Sequence, residues 1–449
     1  MASAITIETE RAALDEAREA ADKKLTKLAS LTNYAADDYT AEFMSVVIAQ
    51  TMEQLRRDLV VFGRIDDDRP WRIGLYGIDR DNDQLVVDWR ARFAEAFYQA
   101  TFDNPSGLTR RVSYVGCIDD LMVEEFETGQ VSGTSPLMAE LSRSRGPQMR
   151  TAVATLQAEQ DRLVRRDPDS RLVLRGGPGT GKTVVGLHRA AWLTYNDRRV
   201  TSDRILILGP SDRFLRFIAT VLPTLGEHRI NQTTIARHFG APATQIGSDE
   251  AWLDILDRFE ASLLHARDIR IRGRTVPEEE IAEALKRFRS SPLPWRDRRR
   301  AVIDRFMNRF DATRPEIERA FKDVLPAMST AAAWKKLRSA ATLRSLGVDE
   351  GFIARWRAVD DDGPLHDEVR ARFEGVPVRF SHAIVDEAQD LSIFGLRAVQ
   401  RRAKGLTLVG DDAQRSAPNA IGLERAAQLL GSELEEMTTA YRMSAEIAE

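Results

Sequence analysis

Lys182 and Thr183 close the run Arg175-Gly-Gly-Pro-Gly-Thr-Gly-Lys182-Thr183, which follows the apolar segment Leu172-Val-Leu174. Gly176, Gly177, Gly179 and Gly181, with Pro178 and Thr180 between them, allow the backbone to curl until its N–H groups face one centre. The spacing of Val185, Leu187, Ala190, Ala191 and Trp192 predicts a helix behind the loop, whose positive end adds to the attraction for an anion. Phosphate is the group that such a nest holds. Lys182 would reach the β- and γ-phosphates of a nucleoside triphosphate, and the Thr183 hydroxyl would ligate magnesium.

Hydrolysis of a phosphoanhydride also needs a metal shell and a positioned water. Ile384-Val385-Asp386-Glu387-Ala388-Gln389-Asp390 reads as a strand ending in acids: Asp386 would hold the magnesium shell and Glu387 would orient or deprotonate the water. Gln414 follows a second such strand in Leu408-Val-Gly-Asp-Asp-Ala-Gln414, where a carboxamide could sense the γ-phosphate. Gln160, one helix before the loop, could read an adenine edge through paired donor and acceptor bonds. Tyr441-Arg442 offers a ring to stack on a base and a guanidinium for the γ-phosphate.

These groups sit at the ends of predicted strands and helices. Leu172–Leu174, Ile205–Leu208, Ala383–Val385 and Leu406–Val409 are short apolar runs flanked by helical patterns, the signal of a parallel sheet buried on both faces. The predicted class is therefore α/β, a P-loop sheet domain in two parts, 151–240 and 376–436. An insertion at 241–375 is mainly helical and rich in arginine, and its acidic run Asp360-Asp-Asp362 is either a solvated loop or a nucleic-acid mimic. At the amino end, Leu14, Ala17, Ala21, Leu25, Leu28 and Leu31 recur at helical steps, and a second helix carries Met44, Val47, Ile48, Thr51, Leu55 and Leu59 on one face. Residues 1–65 are thus expected to form an antiparallel coiled coil with Asp37 and Asp38 at its tip. Strands at Trp71–Tyr76 and Leu85–Trp89 predict a small β-containing unit with its linker at 66–150.

The chain has 449 residues, enough for several domains, and its 65 basic and 69 acidic residues create no global field to recruit nucleic acid or a membrane. A single cysteine, Cys117, excludes an internal disulfide framework and a cysteine-rich zinc site. No basic, apolar leader opens the chain and no run approaches the ~18 apolar residues of a membrane span, so a cytoplasmic location is expected.

In order, the motifs AEQ, GGPGTGKT with HRAAWL, VDEAQD, VGDDAQ and AYR resemble the UvrD/Rep-type superfamily 1 helicases over residues 157–449. The resemblance implies a RecA-like fold and ATP with Mg²⁺ as cofactors. It implies that Gln160 selects adenine, Lys182 and Thr183 bind phosphate and magnesium, and Asp386 and Glu387 drive hydrolysis. Gln414 and Arg189 would be coupling or γ-phosphate contacts, Tyr441 an adenine stacker and Arg442 an arginine finger. Two departures bear on function. Such helicases follow the first Ile/Leu strand with a Thr-Phe-Thr-Asn-like grip on single-stranded DNA, where this chain has Gly209-Pro-Ser-Asp-Arg-Phe-Leu-Arg216; after GDDAQ they carry base-stacking aromatics, where this chain has Arg415-Ser-Ala-Pro-Asn-Ala-Ile-Gly422. Stacking is worth ~1–3 kcal/mol per base, so the grip that translocation needs is expected to be missing.

With Phe62-Gly-Arg-Ile-Asp66, Val87-Asp-Trp-Arg-Ala91 and Phe97-Tyr-Gln-Ala-Thr101 ahead of this engine, the chain is similar to the HelD family of bacterial helicase-like ATPases that bind RNA polymerase. That resemblance implies a coiled coil entering the secondary channel of the polymerase core and an insertion wedging open the primary channel. Nucleic acids would be released and stalled or post-termination polymerase recycled, with ATP promoting release of the factor; related members are associated with rifamycin tolerance. The alternatives are a 3′ to 5′ DNA helicase of repair, with DNA as the partner, and a non-catalytic polymerase wedge that uses nucleotide as a switch. Residues 437–449 would begin a second RecA-like domain, and the 449-residue chain alone is expected to turn over ATP weakly or not at all.

Overall fold

The computed structural model describes residues 5–31, 61–81, 83–115, 118–136, 156–227 and 229–439, together with 45, 48 and 49. Most of the expected second arm of the hairpin, its tip at Asp37 and Asp38, and Tyr441 with Arg442 lie outside the described residues.

The first arm is helical from Ile7 to Leu31. Thr6 opens it by accepting the Thr9 N–H at 3.2 Å, which satisfies one of the donors a helix start leaves free. Leu14, Ala17 and Ala21 are buried as the periodicity predicts, and the small alanines let the helix lie close on a sheet. That sheet has seven strands: β1 (Val61–Asp66), β2 (Pro70–Gly74), β3 (Ile78–Arg80), β4 (Asp83–Asp88), β5 (Arg110–Val115), β6 (Asp120–Glu125) and β7 (Gln130–Gly133). Their spatial order is β3-β4-β2-β1-β5-β6-β7, antiparallel except where β2 meets β4. β1 begins ahead of the expected boundary at 66, so residues 61–65 belong to the sheet and not to the coiled coil.

The helix is fastened by charge as well as by alanine. Glu10 is buried, accepts from Arg64 at 2.7 Å and Arg72 at 3.2 Å, and takes the Tyr114 hydroxyl at 2.5 Å. A carboxylate so placed is stable only because each oxygen has a donor.

The second sheet is formed by β8 (Arg171–Gly176), β9 (Ile205–Gly209), β10 (Asn231–Thr234), β13 (Phe380–Val385), β14 (Ala403–Gly410) and β15 (Leu434–Met437) in the order β10-β9-β13-β14-β8-β15, every pair parallel. The chain here has the α/β, RecA-like architecture expected. Alternation along the strands divides its side chains between two cores. Leu172, Leu174, Ile205, Ile207 and Ile384 join the amino-terminal unit, including Trp89, Phe97 and Tyr98, whereas Val173, Leu206, Leu208, Ala383 and Val385 join the insertion.

The insertion, between β10 and β13, is helical apart from the hairpin β11 (Ile269–Ile271) and β12 (Arg274–Val276). Trp252, Trp295 and Trp356 are buried at its centre. Its two ends meet at Asp362, which caps helix Gly363–Phe373 by accepting the Leu365 N–H and also accepts the Thr244 N–H and hydroxyl. This corrects the reading of Asp360–Asp362 as a uniformly surface-facing acidic run: Asp362 is 1% exposed and pins the root, because it alone of the three falls at the helix N-cap.

Candidate nucleotide site

β8 ends at Gly176, and the chain turns through Gly177–Gly181 into helix Lys182–Asn196. Gly179 and Gly181 have φ of +77° and +87°, the left-handed region that suits glycine. A Cβ on Gly176 would lie 2.6 Å from Thr180 Oγ1 and one on Gly181 would lie 2.5 Å from Gln160 Nε2, whereas none of the chain comes within 4 Å of a Cβ on Gly177. The loop is thus packed at both ends and open in its middle. Gly181, the N-cap, brings no side-chain acceptor to the first turn, so the N–H groups there suit an anion. Lys182 arches over the loop, donating from Nζ to the carbonyls of Gly176 at 2.5 Å and Gly177 at 2.8 Å.

β13 carries the acids to the same end of the sheet. The Thr183 hydroxyl donates to Asp386 Oδ2 at 2.7 Å, joining the two expected magnesium ligands across 203 residues of sequence. Asp386 is 7% exposed; burial pushes its carboxyl up from the ordinary range, against the pull of the Thr183 hydroxyl and the Glu387 N–H. Glu387, just past the end of β13, sits at φ +53°, a strained conformation for its residue type. One Glu387 oxygen accepts from Gln389 Nε2 at 2.6 Å, while Gln389 Oε1 accepts the Asp411 N–H at 3.0 Å. Gln389 is 1% exposed and had no separate role in the sequence reading; its place between two acids of VDEAQD was the available signal. Asp411 in turn accepts from Gln414 Nε2 at 2.8 Å, so Gln414, itself exposed, is tethered to the end of β14.

Gln160 lies against the loop, donating to the Thr180 carbonyl at 3.0 Å and accepting the Gln157 N–H at 3.1 Å in a reciprocal cap of helix Ala158–Val164. Both halves of its carboxamide are engaged within the chain. Arg189 corrects the expectation of a γ-phosphate contact. It is wholly buried, and its guanidinium donates to the carbonyls of Leu163, Val164, Arg166 and Asp167 and to the hydroxyls of Ser170 and Thr407. Seven residues into a helix, it stands ~10 Å along the axis from the loop, beside the start of β8. Burial pulls its pKa down to about 9, which leaves it charged at neutral pH.

The two departures from the helicase pattern have physical occupants. Phe214 lies over Gly209, where a Cβ would meet its ring at 2.3 Å, and Ser211 caps the helix Asp212–Val221. After β14, Asp390 accepts the N–H groups of Ser416 at 2.8 Å and Ala417 at 3.0 Å and the Ser416 hydroxyl at 2.8 Å, so this loop turns toward the acids. Among the described residues, no group of three or more histidine, cysteine or acidic side chains is gathered as a metal site, and no helix is long and apolar enough to cross a membrane.

The geometry fits a magnesium-bound nucleoside triphosphate: a phosphate nest with free first-turn N–H groups, a lysine across it, and a hydroxyl paired with a buried carboxylate beside it. Two family models match the chain. Residues 160–418 match the family described as AAA domain, and residues 5–121 match the one described as DNA helicase IV HelD, N-terminal domain. No curated protein matches the chain.

Proposed function

Because the chain belongs to the HelD family of helicase-like P-loop proteins, we propose that it is an ATP-driven factor that binds core RNA polymerase, opens its channels, releases bound nucleic acid and recycles stalled or post-termination enzyme. The Thr183–Asp386 contact beside an intact phosphate loop carries the nucleotide half of this reading. Gly176–Gly181 N–H groups and Lys182 would hold the phosphates, Thr183 and Asp386 the magnesium. The bound nucleotide supplies an activated phosphoanhydride. Glu387, steadied by Gln389, would take the proton of the attacking water; Gln414 would follow the γ-phosphate from the end of β14; Gln160 would exchange its bond to Thr180 for an adenine edge. Tyr441 and Arg442 keep their proposed stacking and arginine-finger roles.

The macromolecular half rests on the two loops that would otherwise grip DNA. Phe214 is spent on Gly209 and residues 416–417 on Asp390, which favours a protein load over a translocated strand. We place the helix Ile7–Leu31 in the arm directed at the secondary channel and the helical insertion at the primary channel.

The test is capture on immobilised core RNA polymerase followed by elution with ATP and magnesium. The wild type should bind and be released by ATP, while Lys182→Ala should bind and stay. A chain that ignores polymerase but whose ATPase rises strongly with single-stranded DNA would instead be a DNA translocase, and ATP-independent behaviour of both proteins would make it a passive wedge.

A further inference from the structure

The loop after β14 joins more than the acids. Asn419 donates from Nδ2 to the Gln245 carbonyl at 2.7 Å, and the Ile421 N–H donates to the Leu391 carbonyl at 2.9 Å. Gln245 belongs to the root of the insertion: the next residues, Ile246 and Gly247, are buried, and a Cβ on Gly247 would strike the Asp362 carboxylate at 2.2 Å. Ile246, Leu391 and Ile421 lie in one apolar core. One short segment therefore bonds at one end to Asp390, four residues beyond Asp386, and at the other to the base of the insertion.

A second attachment of the insertion, through helix Gly363–Phe373, is held differently. Glu368, on helix Gly363–Phe373, is fully buried among Arg372, Arg397 and Arg401, and Arg402 pairs with Asp367. Arg397 lies on helix Ile393–Gln400, and Arg401 and Arg402 directly follow it. Burial works to raise the Glu368 carboxyl, but the charges of Arg401 and Arg397 hold it below its ordinary range. Separating such ions strands charge in the interior, so this attachment is costly to pull apart. The Asn419 bond is exposed, of the strength water can replace, and so is the contact able to open and close.

We propose that residues 415–421 are a coupling strap, which conveys the state of the Asp386–Asp390 segment to the root of the insertion. The inference rests on nucleotide binding at the phosphate loop. Burial would raise Asp390, yet the Ala417 and Ser416 donors keep it below the usual carboxylate range, consistent with an anion fully committed to the strap.

Asn419→Gly separates the strap from general stability, because Asn419 has φ +61°, a conformation glycine adopts freely while lacking the carboxamide. Amide hydrogen exchange would be followed with and without a non-hydrolysable ATP analogue and magnesium, alongside direct measurement of analogue affinity. In the wild type, nucleotide should alter exchange both at 386–391 and at 241–250. In Asn419→Gly, affinity and the change at 386–391 should persist, while the change at 241–250 falls about five-fold, the factor one hydrogen bond carries. Nucleotide binding without a wild-type response at 241–250, or an undiminished response in the variant, overturns the strap. Absence of binding removes the nucleotide reading itself and the strap with it, and the affinity measurement identifies that case.

Discussion

Replacing Arg189 by methionine separates two roles that sequence position alone confuses. The side chain donates to six acceptors, four of them backbone carbonyls between Leu163 and Asp167. Methionine keeps much of the volume and none of the donors. Each buried acceptor left unmatched costs ~1–3 kcal/mol, but the costs do not add, since neighbouring carbonyls relax together. The acceptors are neutral and no counter-charge is stranded, so the loss of this network is expected to destabilise by about 3 kcal/mol. For a domain of this kind that is a fall in Tm of about 10 °C. The assay is thermal unfolding together with binding of a fluorescent ATP analogue well below the transition. Arg189→Met should unfold earlier and bind the analogue with unchanged affinity, because the guanidinium clamps the start of β8 and does not face the phosphate loop. An unmoved Tm with affinity reduced ten-fold or more would refute the clamp and restore Arg189 as a phosphate contact.

Glu10→Gln should weaken the docking of helix Ile7–Leu31 on the seven-stranded sheet by ~2–3 kcal/mol, because the neutral amide cannot accept from Arg64, Arg72 and Tyr114 as the carboxylate does; faster proteolysis within residues 7–31, with β8–β14 unaffected, is the readout, and an unchanged cleavage rate counts against it. His188 and His382 are wholly buried, and burial lowers their pKa values to about 4 and about 3. Between those values and ~6.5 the unfolded chain binds the extra protons, so stability is greatest above that range and falls on acidification by up to ~1.4 kcal/mol per pH unit for each histidine. The urea midpoint of the wild type should therefore drop more between pH 7 and about 5 than that of His188→Gln, and parallel curves would show that the imidazole is not the titrating group.

The nucleotide half of the fold was legible because its signals are local. Val173, Ile207, Ile384 and Leu408 stand in strands buried on both faces, which read as apolar runs, and the loop glycines announce themselves by spacing. Most of the seven-stranded sheet was not legible. β5 and β6 present Arg110 and Arg111 opposite Glu125 and Glu124, ion pairs that form only across the register, and along the sequence they resemble a solvated face. β15, Leu-Glu-Glu-Met, has no apolar run at all and is a strand because β8 offers it an edge. Nothing local marks Glu10 for burial, since its partners lie 54, 62 and 104 residues away. Arg189 misled for the converse reason: proximity in sequence to Lys182 put it near the loop on paper, and the rise of the helix carries it to the far end of β8.

The division of the RecA-like strands between two cores makes the sheet a party wall. Leu172 and Leu174 answer to the amino-terminal unit, and Val173 between them answers to the insertion. Adjacent codons are therefore subject to unrelated packing constraints, and each side can drift to suit a new neighbour while the wall holds its shape. An enlarged or exchanged insertion has to satisfy Val173, Leu206, Leu208, Ala383 and Val385 on its own side, while the helix Ile7–Leu31 belongs to the core on the other. One sheet in this way carries two appendages, each packed on its own face.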